Sequence, residues 1–474
     1  MSKPAGTAPS GAGGAQAKFL SGNLFRHVSV MSLTASVGLM AVFLVDFIDM
    51  VFISMLGKAE LAAAIGYAGA ILFFTTSFGI GMAIAAGALV ARALGAGEVE
   101  EARAKASHAL VWGMIFGAIF AAVVWVNLGP LVRLLGAEGE TEALAVSYLQ
   151  IIVPTLPFLL VGMMGGAILR AHGAARAAMM ATIYGGLVNA VLDPILIFGL
   201  NLELTGAALA SVAARLTIAA TALRPIFKSY GGLIAPRVLG LFGDLRVILA
   251  IAVPAILTQL ATPIGQAYVT RAMAEYGEEA VAGMAIVGRL TPLAFGVIFA
   301  LSGAVGPIIG QNAGAQRADR VQAAFRASLL FTALVVLFMS ALLFVLREPI
   351  VAIFGAEGVT RELVFLFCGP LALVFFFNGA LFVSNAAFNN LGHPFYSTAT
   401  NWGRHTIGTV PFVMLGAWAL GAPGVLIGQA VGGVVFGGLA VWMAMRITAQ
   451  PLVLDDKPAF AGHRRLTQLF NARR

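Results

Sequence analysis

Three aspartates stand where a carboxylate is costly. Asp46 and Asp49 lie in "VFLVDFIDMVFISMLG" (Val42 to Gly57), and Asp193 lies in "VNAVLDPILIFG" (Val188 to Gly199). Both stretches are otherwise apolar enough to sit in hydrocarbon, where a charged side chain costs from about 2.5 kcal/mol upward. Burial disfavours the ionised form of a carboxyl. A carboxyl so placed can take a proton from one side of a membrane and lose it to the other, and when ionised it attracts a cation. Of the 21 acidic residues, the others fall at loops, helix ends and tails. Asp46 and Asp49 are three apart and point roughly the same way on a helix. Asp46 therefore reads as a second proton site, as a cleft-lining attractor of cations, or as a plain structural cap.

No other chemistry competes with this. The single cysteine, Cys368, permits no internal disulfide, and no Cys/His cluster has metal-ligand spacing. No HExxH, GxSxG or Walker pattern occurs, so neither a hydrolytic enzyme nor an ATP-driven machine is indicated, and no cofactor is expected. The net charge of +8 raises nucleic acid as a partner, but no basic patch interleaved with aromatics supports it. The charge is instead sorted by membrane side.

The elements that position the aspartates are helices long enough to cross a bilayer. The chain has 474 residues, 60% hydrophobic and 11% charged, against about 25% charged in a soluble domain. About 20 apolar residues span the hydrocarbon. Runs of that kind lie near 26–57, 61–93, 104–127, 143–168, 174–199 and 206–227, then 247–275, 279–311, 323–346, 361–389, 395–419 and 421–446. Pro154 and Pro157 predict a kink in the fourth. With the N-terminus inside, nearly all Lys and Arg fall on one face. The opposite face holds only Lys58, Arg133, Arg271, Arg347 and Arg361, amid acids such as Glu138, Glu140 and Glu142. Both termini are therefore expected in the cytoplasm.

The chain also repeats. "LLGAEGETEAL" from Leu134 returns as "IFGAEGVTREL" from Ile353, and the loop glycine Gly173 returns as Gly392, a shift of 219 residues at each landmark. Six helices separate the copies, so the halves share one orientation and are related by an axis along the membrane normal. The expected fold is an all-α polytopic membrane protein with twelve transmembrane helices in two pseudo-symmetric six-helix bundles. Its parts are a disordered tail (1–22), a first lobe (23–227), a linker (228–246), a second lobe (247–447) and a basic tail (448–474).

"IDMVFISMLGKAELAAAIGYAGAI" (Ile48 to Ile71), "GALVARALGAGEVEEAR" (Gly87 to Arg103), "VNAVLDPILIFG", "TGAALASVAAR" (Thr205 to Arg215) and "GEEAVAGMAIVGRL" (Gly277 to Leu290) together resemble the multidrug and toxin extrusion (MATE) family. The likeness runs from about Leu24 to Arg446, and the "LDP" ending of the fifth helix leans toward the DinF-like branch. The resemblance implies a secondary antiporter, not an enzyme, in the bacterial inner membrane. Its partners would be lipid and small-molecule organic cations or amphipathic drugs, expelled against an inward flow of protons, and a monomer is expected. Sodium coupling and lipid-intermediate flipping are the alternatives.

Residue by residue, the resemblance places the functional first-helix aspartate at Asp49 rather than Asp46. It carries the fifth-helix pair over as Asn189 and Asp193, the fourth-helix tyrosine as Tyr148 and the sixth-helix hydroxyl as Ser211, where the family often has threonine. Asn189 and Asp193, four apart, share a helix face. The second half has no embedded acid: its seventh helix offers Gln259 and Gln266, its tenth Asn378 and Asn385. The sodium-using branch has acids there, so protons are favoured. Arg215, Arg289 and Arg404 are expected to pair locally or snorkel, and His405 to be a satisfied structural histidine.

Overall fold

The computed structural model describes residues 17–236 and 238–452. Most of the tail 1–22 and of the tail 448–474 lies outside the described residues. The described part is helical throughout, and the first lobe consists of helices at Leu24–Met55, Ala59–Gly95, Val99–Val126, Gly139–Ala171, Ala175–Gly199 and Glu203–Ser229. The second lobe holds Val238–Ala274, Glu278–Gly314, Ala318–Phe354, Gly358–Asn390, Pro394–His405 with Val410–Leu420, and Ala422–Thr448. These are the twelve spans of two six-helix bundles, numbered below in chain order. The seventh begins at Val238, well inside the stretch expected to be linker (228–246).

Eleven of the spans are long, apolar helical runs among the described residues. The eleventh span is different: read from sequence as one helix over 395–419, it is broken midway into two short helices. Pro411 explains part of this, because it offers no N–H and its ring clashes with the carbonyl four residues back. The freed groups are re-paired locally. Gly408 N donates to Gly403 O at 2.7 Å, and Thr409 Oγ1 donates to Arg404 O at 2.8 Å. Irregular backbone at membrane depth is tolerated only with such partners. The fourth span has its expected kink as a 3₁₀ turn, Val153–Thr155, around Pro154.

The repeat seen in the letters recurs in the backbone. Gly97 and Gln316, Gly136 and Gly355, and Gly173 and Gly392 all adopt positive φ, each pair separated by the same 219 residues. Gln316, at φ 56°, pays the strain of a side chain in the left-handed region to close the same turn that Gly97 closes freely.

The lobes touch along the half of the molecule that carries the basic loops, called the basic face below. There the second and eighth helices pass so closely that a β-carbon on Gly95 would fall 1.9 Å from Gln311 O, and one on Gly314 2.0 Å from Arg92 O. Toward the opposite face, Gly66 and Gly69 of the second helix have nothing within 4 Å of such an atom. The closure is sealed by the last part of the tail expected to be loose. Over Lys18–Leu20 the chain forms a 3₁₀ turn with Phe19 buried between the lobes. Lys18 Nζ donates to Gly173 O in the first lobe at 3.2 Å. Phe19 N donates to Gln311 Oε1 in the second at 2.8 Å, and Phe19 O accepts from Arg320 at 2.9 Å. Residues 17–22 are thus pinned, because two lobes meeting leave a slot that one aromatic ring fills.

Candidate functional site

The first helix is packed against the fifth and the eighth, which fixes its rotation. Gly38 faces Met179 and Gly186 faces Val45, so the stripe continuing through Asp49 points into the first lobe toward the fifth helix. Asp193 is fully buried and Asn189 is 6% exposed. One turn apart, they are joined by Asn189 Nδ2 donating to Asp193 Oδ2 at 2.9 Å. The carboxyls of Asp49 and Asp193 lie within hydrogen-bond reach of each other. Asp49 Oδ1 and Asp193 Oδ1 are buried with no hydrogen-bond donor among the described residues. Two carboxyls so placed can share one proton. Like charges about 4 Å apart repel by about 4 kcal/mol at an effective dielectric of 20, whereas a shared proton converts that repulsion into a bond.

Tyr148 completes the wall from the fourth helix. It is half-buried, its hydroxyl lies near Ser211 of the sixth helix, and Asp49, Asp193 and Arg215 lie within its electrostatic range. Arg215, one turn beyond Ser211, donates through Nη1 to Ile152 O and Thr155 Oγ1, both at 3.0 Å. It shares the Ile152 carbonyl with Thr155 Oγ1 at the 3₁₀ turn, and so holds the fourth-helix segment that carries Tyr148. Asp46 is exposed, one turn from Asp49 and within its electrostatic range. Of the six residues named from sequence, Asp49, Asp193, Asn189, Tyr148 and Ser211 therefore form one cluster. Asp46 stands at its edge.

The second lobe has a different interior. Gln429 Nε2 donates to Gln266 Oε1 at 3.2 Å, tying the twelfth helix to the seventh. Asn385 is likewise satisfied, accepting from Asn401 Nδ2 at 3.1 Å. Arg404 is half-buried beside the break in the eleventh helix, and its guanidinium makes no hydrogen bond or ion pair among the described residues. His405 is 5% exposed and neither ring nitrogen has a partner; its ring presses on Gly265. Arg215 thus pairs locally as expected. Arg404 does not, and His405 is buried but not satisfied, because the second lobe offers no embedded acid and Gly265 leaves the imidazole nothing to bond.

A family model described as MatE matches residues 35–195 and 254–434, taking in both lobes and most of each. The chain belongs to the MatE family. Its members are membrane transporters rather than enzymes. The chain is 28% identical over 451 residues to the FAD transporter of Shewanella oneidensis, covering 90% of this chain and 96% of that one. It is 24% identical over 342 residues to the multidrug export protein MepA of Staphylococcus aureus, covering 72% and 76%. Its fold matches that of a mutant of the Vibrio cholerae MATE transporter VcmN with a TM-score of 0.85, at 24% identity over 90% and 99% of the two chains.

Within this MatE fold, the residues that sequence reasoning set aside are the second-lobe ones. A signal for them was present: an arginine, a histidine and four β-branched residues in "GRHTIGTV" crowd the middle of a span. Only the position of the helix break shows that they stand at its edge rather than on a lipid-facing surface.

Proposed function

We propose that this transporter exports amphipathic organic compounds from the cytoplasm of a bacterial cell in exchange for protons, by alternating access, with Asp49 and Asp193 as the coupling pair. The observation that carries the reading is the carboxyl pair itself, held in a buried, hydrogen-bonded setting in a bundle closed at its basic face. The charge bias puts that face in the cytoplasm. Closed there, the cleft faces outward, where protons enter. Protonation joins the two carboxyls and ionisation pushes them apart, so the proton count biases the packing of the first helix against the fifth. Asn189, Tyr148 and Ser211 supply the hydrogen bonds that change partners between the two states. Asp46, at the edge, attracts cationic cargo. One chain contains a whole cleft, which fits a monomer.

The relatives support a small-molecule cargo without choosing it: one is named for multidrug export and another for FAD. A flavin nucleotide is the second reading, favoured by likeness to the Shewanella protein over nearly its whole length. The test is reconstitution in liposomes with an imposed proton or sodium gradient, following efflux of a fluorescent cation and, separately, of FAD. Proton-driven efflux that Asp49→Asn and Asp193→Asn each abolish is expected. Unimpaired efflux in both variants would sink the coupling pair, and a requirement for sodium in place of the proton gradient would install the sodium reading.

A further inference from the structure

We propose that Arg404 is the recognition point for an anionic group, a carboxylate or phosphate, on the transported substrate, in the interior of the second lobe. This deepens the efflux reading and rests on it for the word transported. Arg404 lies at the edge of the broken eleventh helix. A β-carbon on Gly433 of the twelfth helix would stand 3.8 Å from Arg404 Nε and equally 3.8 Å from Asn378 Oδ1 of the tenth. The guanidinium and the amide thus converge on a wall that has no side chain. Asn378 Oδ1 is itself buried without a partner. Gln429, four residues before Gly433, occupies the same face of the twelfth helix. Its hydrogen bond to Gln266 lies one turn toward the outer end. His405 adds an imidazole with two unpaired nitrogens.

Unpaired cations at membrane depth are costly and are kept where they serve a site. Arg215 shows what a structural arginine looks like in this molecule: it is bonded to a carbonyl and a hydroxyl across a helix break. Arg404 has neither. The second lobe also contains no embedded carboxylate that an alternative rotamer could reach. A planar guanidinium presents paired donors matched to the two oxygens of a carboxylate or phosphate. The two lobes therefore offer opposite chemistry, proton-carrying acids in the first and a lone cation in the second. In the 219-residue repeat, Asn189 falls at Gly408, inside the eleventh-helix break. Arg404, four residues before Gly408, thus stands near the position where the first lobe has its carboxyl cluster.

Rhodamine 110 and rhodamine 123 test this, since they differ only in a free carboxylate against its methyl ester. Binding of each to the purified full-length protein is measured by fluorescence polarisation for wild type, Arg404→Gln, Arg404→Lys and Gly433→Val. A charge-assisted hydrogen bond lost from a desolvated site weakens binding by about tenfold or more. Rhodamine 110 is expected to lose that factor in Arg404→Gln and Gly433→Val and to regain part of it in Arg404→Lys. Rhodamine 123 should change by less than about twofold in Arg404→Gln. Equal effects on both dyes, no effect on either, or a wild type that does not prefer the free carboxylate would overturn the proposal. So would rhodamine 110 that binds through Arg404 but is not carried, while rhodamine 123 is. Loss of gradient-driven rhodamine 123 efflux in wild type, with charge-selective binding intact, would instead strike the antiport reading and leave the anion site standing.

Discussion

Replacing Phe19 with alanine should open the basic face. The ring is 1% exposed. It reaches the loop glycine of the first lobe, where its tip would meet a β-carbon on Gly173 at 3.3 Å. Its own backbone is held by Gln311, Asn312 and Arg320 of the second lobe. A pocket with walls in both lobes exists only while the lobes are together, so whatever the ring contributes is contributed to the closed state alone. Phe→Ala at a buried site costs about 3 kcal/mol at the low end of its range. The backbone hydrogen bonds survive the substitution, so the ring is the whole of the change. At about 1.4 kcal/mol per tenfold, the ratio of closed to open molecules should fall by roughly two orders of magnitude. The assay is a distance by pulsed electron paramagnetic resonance. Spin labels at Glu98 and Arg317, exposed at the basic-face turns of the two lobes, are placed in a background where Cys368, the only cysteine, is alanine. Wild type should give one short distance, and Phe19→Ala a second, longer population. An unchanged distribution would refute the reasoning, since the pocket would then persist in both states or be worth nothing.

Other outcomes follow from the same contacts. Gly95→Ala puts a β-carbon against Gln311 O, a backbone atom that cannot swing aside. It should enrich the open state in the same spin-label experiment and slow export. Asp244 accepts from His108 at 2.6 Å and from Lys105 at 2.5 Å, fastening the start of the seventh helix to the third. Asp244→Ala leaves a buried histidine unpaired, which should cost about 2 kcal/mol and show as faster proteolysis within 228–246. Arg215→Met removes the Arg215 bonds to Ile152 O and Thr155 Oγ1, leaving Thr155 Oγ1 as the remaining donor to that carbonyl, and loosens the turn that carries Tyr148. It should lower thermal stability by about 1–3 kcal/mol and weaken proton coupling, read as a shallower pH dependence of efflux. Arg215→Lys should restore less than half, because one ammonium cannot reproduce the guanidinium's geometry.

By itself the sequence determined the architecture and one half of the chemistry. Hydrophobic length is a property of contiguous residues, so twelve spans and their common orientation can be counted without coordinates. The repeat is equally linear, and it names the turns that later prove to share positive φ. An embedded aspartate is legible for the same reason: its cost is set by its neighbours along the chain, and Asp49, Asn189 and Asp193 could be picked out as letters. What brought Asp49 to Asp193, some 140 residues away, was the packing of the first helix on the fifth, a contact between faces that no local pattern specifies. Tertiary structure also decided whether each arginine is satisfied. Arg215 and Arg404 look alike in the sequence, each a lone cation in an apolar run. One meets a carbonyl and a hydroxyl at a turn in another helix, and the other meets a glycine and an unpaired amide. The same holds for Phe19, an aromatic in what reads as a tail, which becomes a wedge only because two lobes close around it. Cost along the chain can be read from letters; who pays it back across space cannot.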